Sequence, residues 1–311
     1  MNWRKPGVTE LPKFELMGPS DAPLVVVLGG ISASRHVVAT EHDPSPGWWE
    51  TVVGPGRAID TTRLRVLGVD YLGGGRGTDG RPKRIVSTHD QADAIAAVLD
   101  GLAVERVFAM IGASYGGMVA LAFAERRPHR LERLVVISAP HEAHPMSTAL
   151  RSLQRRIVAL GIDTGEPKEA LTLARGLAMT TYRSAREFAE RFDSDPVERT
   201  ANDAIFPVEG YLRHHGERFA AAWEPERFLA LSLSADLHRI DPAAIRTPTV
   251  LVAAQGDSIV PGEQMQALAA GLAAPSRLVE LPTTRGHDAF LAEPEAIGRL
   301  LKDSLATTTL S

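Results

Sequence analysis

The chain has 311 residues, no cysteine, 44% hydrophobic residues and a formal net charge of -4. These values fit a soluble globular protein with a sizeable core, in one large domain or two small ones. They exclude disulfides, thiolate metal sites and a cysteine nucleophile, and they leave no basic footprint for nucleic acid. The N-terminal stretch MNWRKPGVTELPKFELMG mixes charges with prolines and lacks the apolar core of a signal peptide. No stretch reaches the ~18 uninterrupted apolar residues of a membrane span, so a cytoplasmic protein without membrane contact is expected.

In chain order, PLVVVLGG (23–30) and RLRVLGVDY (63–71) are continuous apolar runs, as expected of strands buried on both faces of a parallel sheet. STHDQADAIAAVLDGLA (87–103) predicts a helix opened by a capping box in which Thr88 faces Gln91, with apolar spacing at Ile95, Val98 and Leu99. A third strand, RVFAMIGAS (106–114), leads into the helical MVALAFAERRP (118–128), which Pro128 ends. RLVVISAP (133–140), PTVLVAAQGD (248–257) and SRLVELP (276–282) complete the strands, and PEAIGRLLKDSLA (294–306) is a helix with proline in its first turn. Alternating strands and helices predict an α/β layered fold.

Between Pro140 and Pro248 the rhythm breaks: no strong buried strand stands out, while helical patterns recur, as in KEALTLARGLAMTTYRSAREFAERF (168–192). A connection of roughly a hundred residues is far longer than the usual loop, and its amphipathic patterning argues for a folded helical cap. The expected division is a core of 1–140 and 245–311 with a cap of 141–244.

Gly112-Ala113-Ser114-Tyr115-Gly116 fits G-x-S-x-G between a buried strand and a helix. Such a turn needs small residues two places either side of the serine so that strand and helix do not collide. It would present the hydroxyl at a helix N-terminus, where partial positive charge favours an oxyanion. A serine needs a base, and the order Ser, then acid, then His follows. His129, His214, His215 and His238 read as surface residues in polar, arginine-rich contexts, and the HEAHP pair His141 and His144 lacks an anchoring metal partner. His287 lies in a loop between the last strand and the last helix. Asp257 ends the PTVLVAAQGD strand, where α/β folds place their sites; Asp236 and Asp241 are its rivals. A second oxyanion donor would come from the turn after the first strand, at Gly29-Gly30-Ile31, which lacks any nucleotide-binding spacing. No metal site is expected.

Taken together, LGGISASRH, PGWWETVVGPGRAID, GASYGGM, HPMSTALRSLQRR, ARGLAMTTYRS, ADLHRID and GHDAFL resemble the homoserine O-acyltransferases of the methionine-pathway type, which have the α/β-hydrolase fold. The resemblance implies transfer of an acyl group from acyl-CoA to the homoserine hydroxyl through an acyl-serine, with no tightly bound cofactor. It implies Ser114 as nucleophile, His287 as base and Asp257 as the orienting acid, with the N–H groups of Ile31 and Tyr115 as the oxyanion hole. It further implies Arg175 and Tyr182, seven residues apart on one helix face, as substrate contacts. Arg175 would meet the substrate carboxylate and Asp288 its ammonium. A homodimer built through the cap is also implied. Two departures stand out: the residue after the nucleophile is commonly methionine in the family and is tyrosine here, and LGGGRGTDG matches the family's Gly-Ser-Thr-Gly loop only loosely. Competing readings are a serine esterase, an acyltransferase for another hydroxylated small molecule, and a non-catalytic binding protein on the same fold. Between donors, acetyl-CoA is favoured over succinyl-CoA. The residues Ser258, Ile259, Val260, Ile31 and Tyr115 predict an uncharged lining, with Arg35 as the one cation that could reach a second carboxylate.

Overall fold

The computed structural model describes residues 11–306. The first ten residues of the N-terminal stretch and the last five of the chain lie outside the described residues.

A seven-stranded sheet forms the centre. In chain order its first members are β1 (Phe14–Met17), β2 (Leu24–Leu28), β3 (Arg65–Val69), β4 (Ala109–Ala113) and β5 (Leu134–Ile137). After a two-stranded hairpin of β6 (Glu198–Arg199) and β7 (Ala204–Ile205), the chain returns to the sheet as β8 (Thr249–Ala254) and β9 (Ser276–Leu281). The spatial order is β1-β3-β2-β4-β5-β8-β9, parallel except for β1, which runs antiparallel to β3. The six strands expected from the sequence are all present. The seventh, β1, escapes notice because FELM has no β-branched residue and lies at the sheet edge with Phe14 exposed.

Successive residues of the inner strands face opposite sides, and each side has its own core. Val26, Leu28, Met110, Leu134 and Val136 pack beneath α1 (Thr88–Gly101) and α2 (Tyr115–Arg126). Val25, Val27, Ile111, Val135 and Val252 pack on the other side with Ile297 and Leu301 of the last helix, Pro294–Ala306. Each such buried aliphatic chain contributes about 1.5–3 kcal/mol. Coverage of both faces explains why these strands read as unbroken apolar runs.

The start of α1 differs in detail from the sequence expectation. Ser87, not Thr88, is the N-cap, and it exchanges hydrogen bonds with Asp90. Thr88 instead turns inward to His238 at 2.8 Å, and Gln91 holds the backbone of Leu72.

Between β5 and β8 the chain leaves the sheet for α3 (Pro145–Thr164), α4 (Pro167–Tyr182), α5 (Ala185–Arg191), α6 (Pro207–Ala222) and α7 (Pro225–Asp236). Four of these begin with proline in the first turn, where the missing N–H leaves no helical carbonyl unpaired. They share a small core of Val158, Leu171, Phe219 and Phe228. Among the described residues no helix is long and apolar enough to cross a membrane. The strand order reverses between β2 and β4, since the chain moves from β2 to one neighbour and returns on the other side. The carboxyl ends at such a reversal form a crevice, and both glycine turns identified in the sequence lie there.

Candidate active site

Ser114 occupies the step from β4 to α2 with φ 54° and ψ -123°, a strained conformation for a residue with a Cβ, costing of order 1–3 kcal/mol. The flanking glycines make it possible by absence. A Cβ on Gly112 would stand 2.4 Å from the Gly116 carbonyl oxygen, and one on Gly116 would stand 2.3 Å from that of Leu28. The Ser114 N–H donates to Ile137 O at 2.8 Å and anchors the turn to β5.

The Ser114 Oγ is 2.7 Å from His287 Nε2, and His287 Nδ1 is 2.8 Å from Asp257 Oδ2. The other Asp257 oxygen accepts the N–H groups of Ile259 and Val260, both at 2.9 Å. A carboxylate so held can only accept from the imidazole. Nδ1 therefore carries the hydrogen, and Nε2 offers its lone pair to the serine hydroxyl. His287 and Asp257 are both buried, at 4% and 6% exposure. Burial alone would depress the imidazole, but the charge and hydrogen bond of Asp257 outweigh it and the net shift is upward. The rival acids are engaged elsewhere: Asp236 takes Arg151 and Arg155 at 2.6 and 2.5 Å, and Asp241 caps a short turn at Pro242.

The N–H of Tyr115, first residue of α2, is one of the donors no helical carbonyl can reach. The Ile31 N–H lies in the turn after β2, and neither amide donates to a backbone carbonyl among the described residues. Ile31 and Tyr115 both line the cleft that holds Ser114 and His287.

That cleft has a volume of about 730 Å³ including its open mouth, within the range of small-molecule sites. The core supplies its floor and the cap its roof. Arg175 and Tyr182 of α4 both line it, with the guanidinium 5.0 Å over the Tyr182 ring and 4.8 Å from the ring of Phe219. Spacing along the helix separates their backbones by roughly 10 Å; the long arginine side chain closes the gap. Tyr182 in turn stacks on His287, with ring centres 6.0 Å apart. Arg175 has no carboxylate partner among the ion pairs of the described residues. Asp288 does not reach the lining: its Oδ2 is 3.1 Å from Arg183 Nε. Burial raises the Asp288 carboxyl, against the opposing charge of Arg183.

Three expectations need correction. The lining is not free of charge, because Arg151 of α3 belongs to it as well as Arg175. Arg35 is not the free cation of the site: it pairs with Asp70 at 2.6 Å and Glu15 at 3.1 Å, away from the cleft. His238 is not a surface residue. It is 2% exposed between Thr88 and Pro140 O, and burial pushes it down to about 3. Arg151 went unnoticed although HPMSTALRSLQRR places Ser147, Arg151 and Arg155 four apart on one helix face.

One group of residues, Glu15, His36 and Asp43, clusters closely enough for a metal. His36 uses both ring nitrogens already, on Glu15 and on the Ser45 carbonyl. Arg35 neutralises Glu15 alongside. Burial pulls His36 down, but the Ser45 carbonyl and Glu15 raise it overall, and with both ring nitrogens engaged by oxygens neither is left free to hold a metal.

The family model of the alpha/beta hydrolase fold matches residues 23–294, and the chain belongs to that family. It is 45% identical over 296 residues to the homoserine O-succinyltransferase of Xanthomonas campestris, covering 95% of this chain and 79% of that protein. It is 36% identical to the L-serine/homoserine O-acetyltransferase of Streptomyces lavendulae, over 88% of this chain and 85% of the other. Within the hydrolase-fold family the chain is therefore an enzyme of the homoserine/serine O-acyltransferase family. Among solved structures, homoserine O-acetyltransferase from Bacillus anthracis superposes with a TM-score of 0.84 at 17% identity, covering 96% of this chain and 92% of that one. Esterase E22 superposes at 0.82 and 22% identity, covering 94% of this chain and 93% of its own. Both likenesses concern the fold alone.

Proposed function

We propose that this enzyme moves a succinyl group from succinyl-CoA to the hydroxyl of L-homoserine through a covalent acyl-serine, in the cytoplasm and as a step of methionine biosynthesis. The observation that carries the reading is the presence of two guanidinium groups, Arg151 and Arg175, in the cleft that holds the Ser114 hydroxyl. A carboxylate leaving water needs such a partner. The acceptor amino acid has one carboxylate and a succinyl donor brings a second. The preference for acetyl rested on an uncharged lining, and with Arg151 there that reason lapses. The 45% identity to a succinyltransferase supports the same donor.

In the first half-reaction Ser114 Oγ attacks the thioester carbonyl carbon and gives its proton to His287 Nε2. The N–H groups of Ile31 and Tyr115 hold the oxyanion. Collapse breaks the carbon–sulfur bond, and His287 returns the proton to the departing CoA sulfur. In the second half the homoserine hydroxyl gives its proton to His287 and attacks the acyl-serine carbonyl. Ser114 leaves with that proton. Asp257 keeps the imidazole in the tautomer both halves require. Arg175 holds the acceptor carboxylate against Tyr182, and Asp288, which lies behind the lining, would take the ammonium by giving up Arg183. A homodimer through the cap would cover the exposed α3 row of Met146, Leu153 and Leu160, spaced seven apart.

The test follows thiol release from succinyl-CoA and from acetyl-CoA, each with and without homoserine. Sustained release that needs homoserine supports transfer, and a higher kcat/KM for the succinyl donor supports the second carboxylate. Release without homoserine makes the protein a hydrolase, and no release from either donor leaves a binding function.

A further inference from the structure

Tyr115, whose residue type departs from the family's usual methionine, has a fully buried side chain beneath the serine turn. Its hydroxyl lies 2.7 Å from Ser234 Oγ in α7 and 3.3 Å from Gln91 Nε2 in α1. The amide nitrogen of Gln91 can only donate, so the phenol accepts from it and shares a second hydrogen bond with the Ser234 hydroxyl. Gln91 is immobilised, for its side-chain oxygen accepts from Leu72 N–H at 2.8 Å and its nitrogen donates to Leu72 O at 2.9 Å. The Tyr115 ring meets Tyr71 edge-on at 4.9 Å. The Tyr71 hydroxyl donates to Gly29 O at 2.7 Å, the same carbonyl that accepts the Gly116 N–H at 3.0 Å. Burial pushes the Tyr115 phenol up to about 12, so it stays neutral and keeps this pattern across the working pH range.

We propose that the Tyr115 hydroxyl, bonded to Gln91 and Ser234, is a positioning group for the oxyanion hole, through which the seating of cap helix α7 sets the direction of the Tyr115 N–H. The proposal rests on Ser114 being the nucleophile. The backbone here is strained, with Ser114 at φ 54°, so local conformational preference does not hold the amide in place. The Ser114 carbonyl, in the same peptide as the Tyr115 N–H, accepts from Gly117 and Met118 N–H at 2.9 and 3.1 Å, so the amide moves with the first turn of α2. The Tyr115 side chain sets where that turn sits, since shifting it moves the ring, and the ring cannot move without breaking bonds to two helices. An oxyanion donor works only within a narrow distance of the developing charge, so a small rotation weakens the transition state while leaving ground-state contacts of the substrate elsewhere unchanged. α7 is fixed from its other side too, by Asp236 on Arg151 and Arg155, which ties the cap wall of the cleft to the same amide.

The experiment compares Tyr115→Phe, Ser234→Ala and the double variant in three readouts: kcat, KM for both substrates, and the rate at which an alkyl fluorophosphonate labels Ser114. Each single variant is expected to lower kcat and the labelling rate about tenfold with both KM values unchanged, and the double variant to be no slower than the slower single. Wild-type kcat and labelling in Tyr115→Phe, losses that multiply in the double variant, or a change carried by KM would each overturn the proposal. If Tyr115→Phe does not fold, Ser234→Ala decides alone by the same criteria. Labelling and turnover that persist in Ser114→Ala would instead overturn the nucleophile reading on which the proposal stands.

Discussion

Replacing Arg151 with glutamine tests the donor directly. In the folded protein Arg151 and Arg155 share Asp236, whose side chain is 5% exposed, while the arginine side chains are 15% and 19% exposed. Two cations on one anion leave the cluster with a surplus positive charge at the cleft wall, and a second carboxylate would balance it. Arg151→Gln removes that surplus and leaves Asp236 paired with Arg155 at 2.5 Å, so no anion is stranded in the core. A hydrogen bond to a charged group contributes about 1.5–3 kcal/mol, which converts to a loss of roughly 10- to 150-fold in kcat/KM for succinyl-CoA. Acetyl-CoA, lacking the second carboxylate, serves as the internal control and is expected to change by less than about threefold. Steady-state thiol release with both donors at saturating homoserine makes the measurement. Equal losses with both donors would show that Arg151 acts on the shape of the cap, and an unchanged succinyl rate would refute its contact with the acyl group.

Other consequences follow from the same geometry. Ser114→Ala should lower transfer by several orders of magnitude while the melting temperature stays within a few degrees; intact-protein mass spectrometry after acyl-CoA treatment should show the acyl adduct on the wild type alone. The base must be neutral to act, so kcat/KM should rise with pH through the His287 pKa, which lies above the ordinary imidazole value. Asp257→Asn removes the charge that raises it, so the acid limb should move to lower pH and the rate should fall roughly 10³- to 10⁴-fold; a limb at the wild-type position would refute that cause. Arg175→Ala should raise the KM for homoserine roughly 10- to 150-fold and that for acyl-CoA far less, and equal changes would assign Arg175 to cap structure.

What the sequence reveals and what it hides follow from where the determinants lie. Ser114, Asp257 and the turn after β2 sit at ends of buried strands, and a strand end is visible locally as an apolar run stopped by glycine or a polar residue. His287 is found the same way, from the loop before the last helix. The start of α1 lies one residue before the sequence expectation, because Ser87 and Thr88 are both capable caps and the hydrogen bond of Thr88 to His238 draws Thr88 inward. That pull comes from 150 residues away. The lining failed for a similar reason. Periodicity shows that Arg151 and Arg175 share helices with apolar neighbours, but which helix face turns toward the sheet is set by α3, α4 and α6 packing on one another. Arg35 misled in the opposite sense: it is near the turn after β2 in sequence, while Asp70 at the end of β3 draws it away in space.

The division of labour between core and cap gives a physical account of how a hydrolase fold can favour transfer over hydrolysis. The Ser–His–Asp chain and its two amides act equally on water and on an alcohol, so nothing on the floor of the cleft selects the acceptor. Selection must come from the roof, where binding energy can hold one hydroxyl against the acyl-serine and exclude a competing water. Arg175 is suited to that task because its guanidinium lies 5.0 Å from the Tyr182 ring and 4.8 Å from the Phe219 ring, and a guanidinium that packs on aromatic rings can still bind a carboxylate through its N–H groups. Tyr182 lies against His287 as well as Arg175. On the proposed reading, an acceptor held by Arg175 would rest on the side chain that also packs on the base, and binding and proton transfer would meet at that ring.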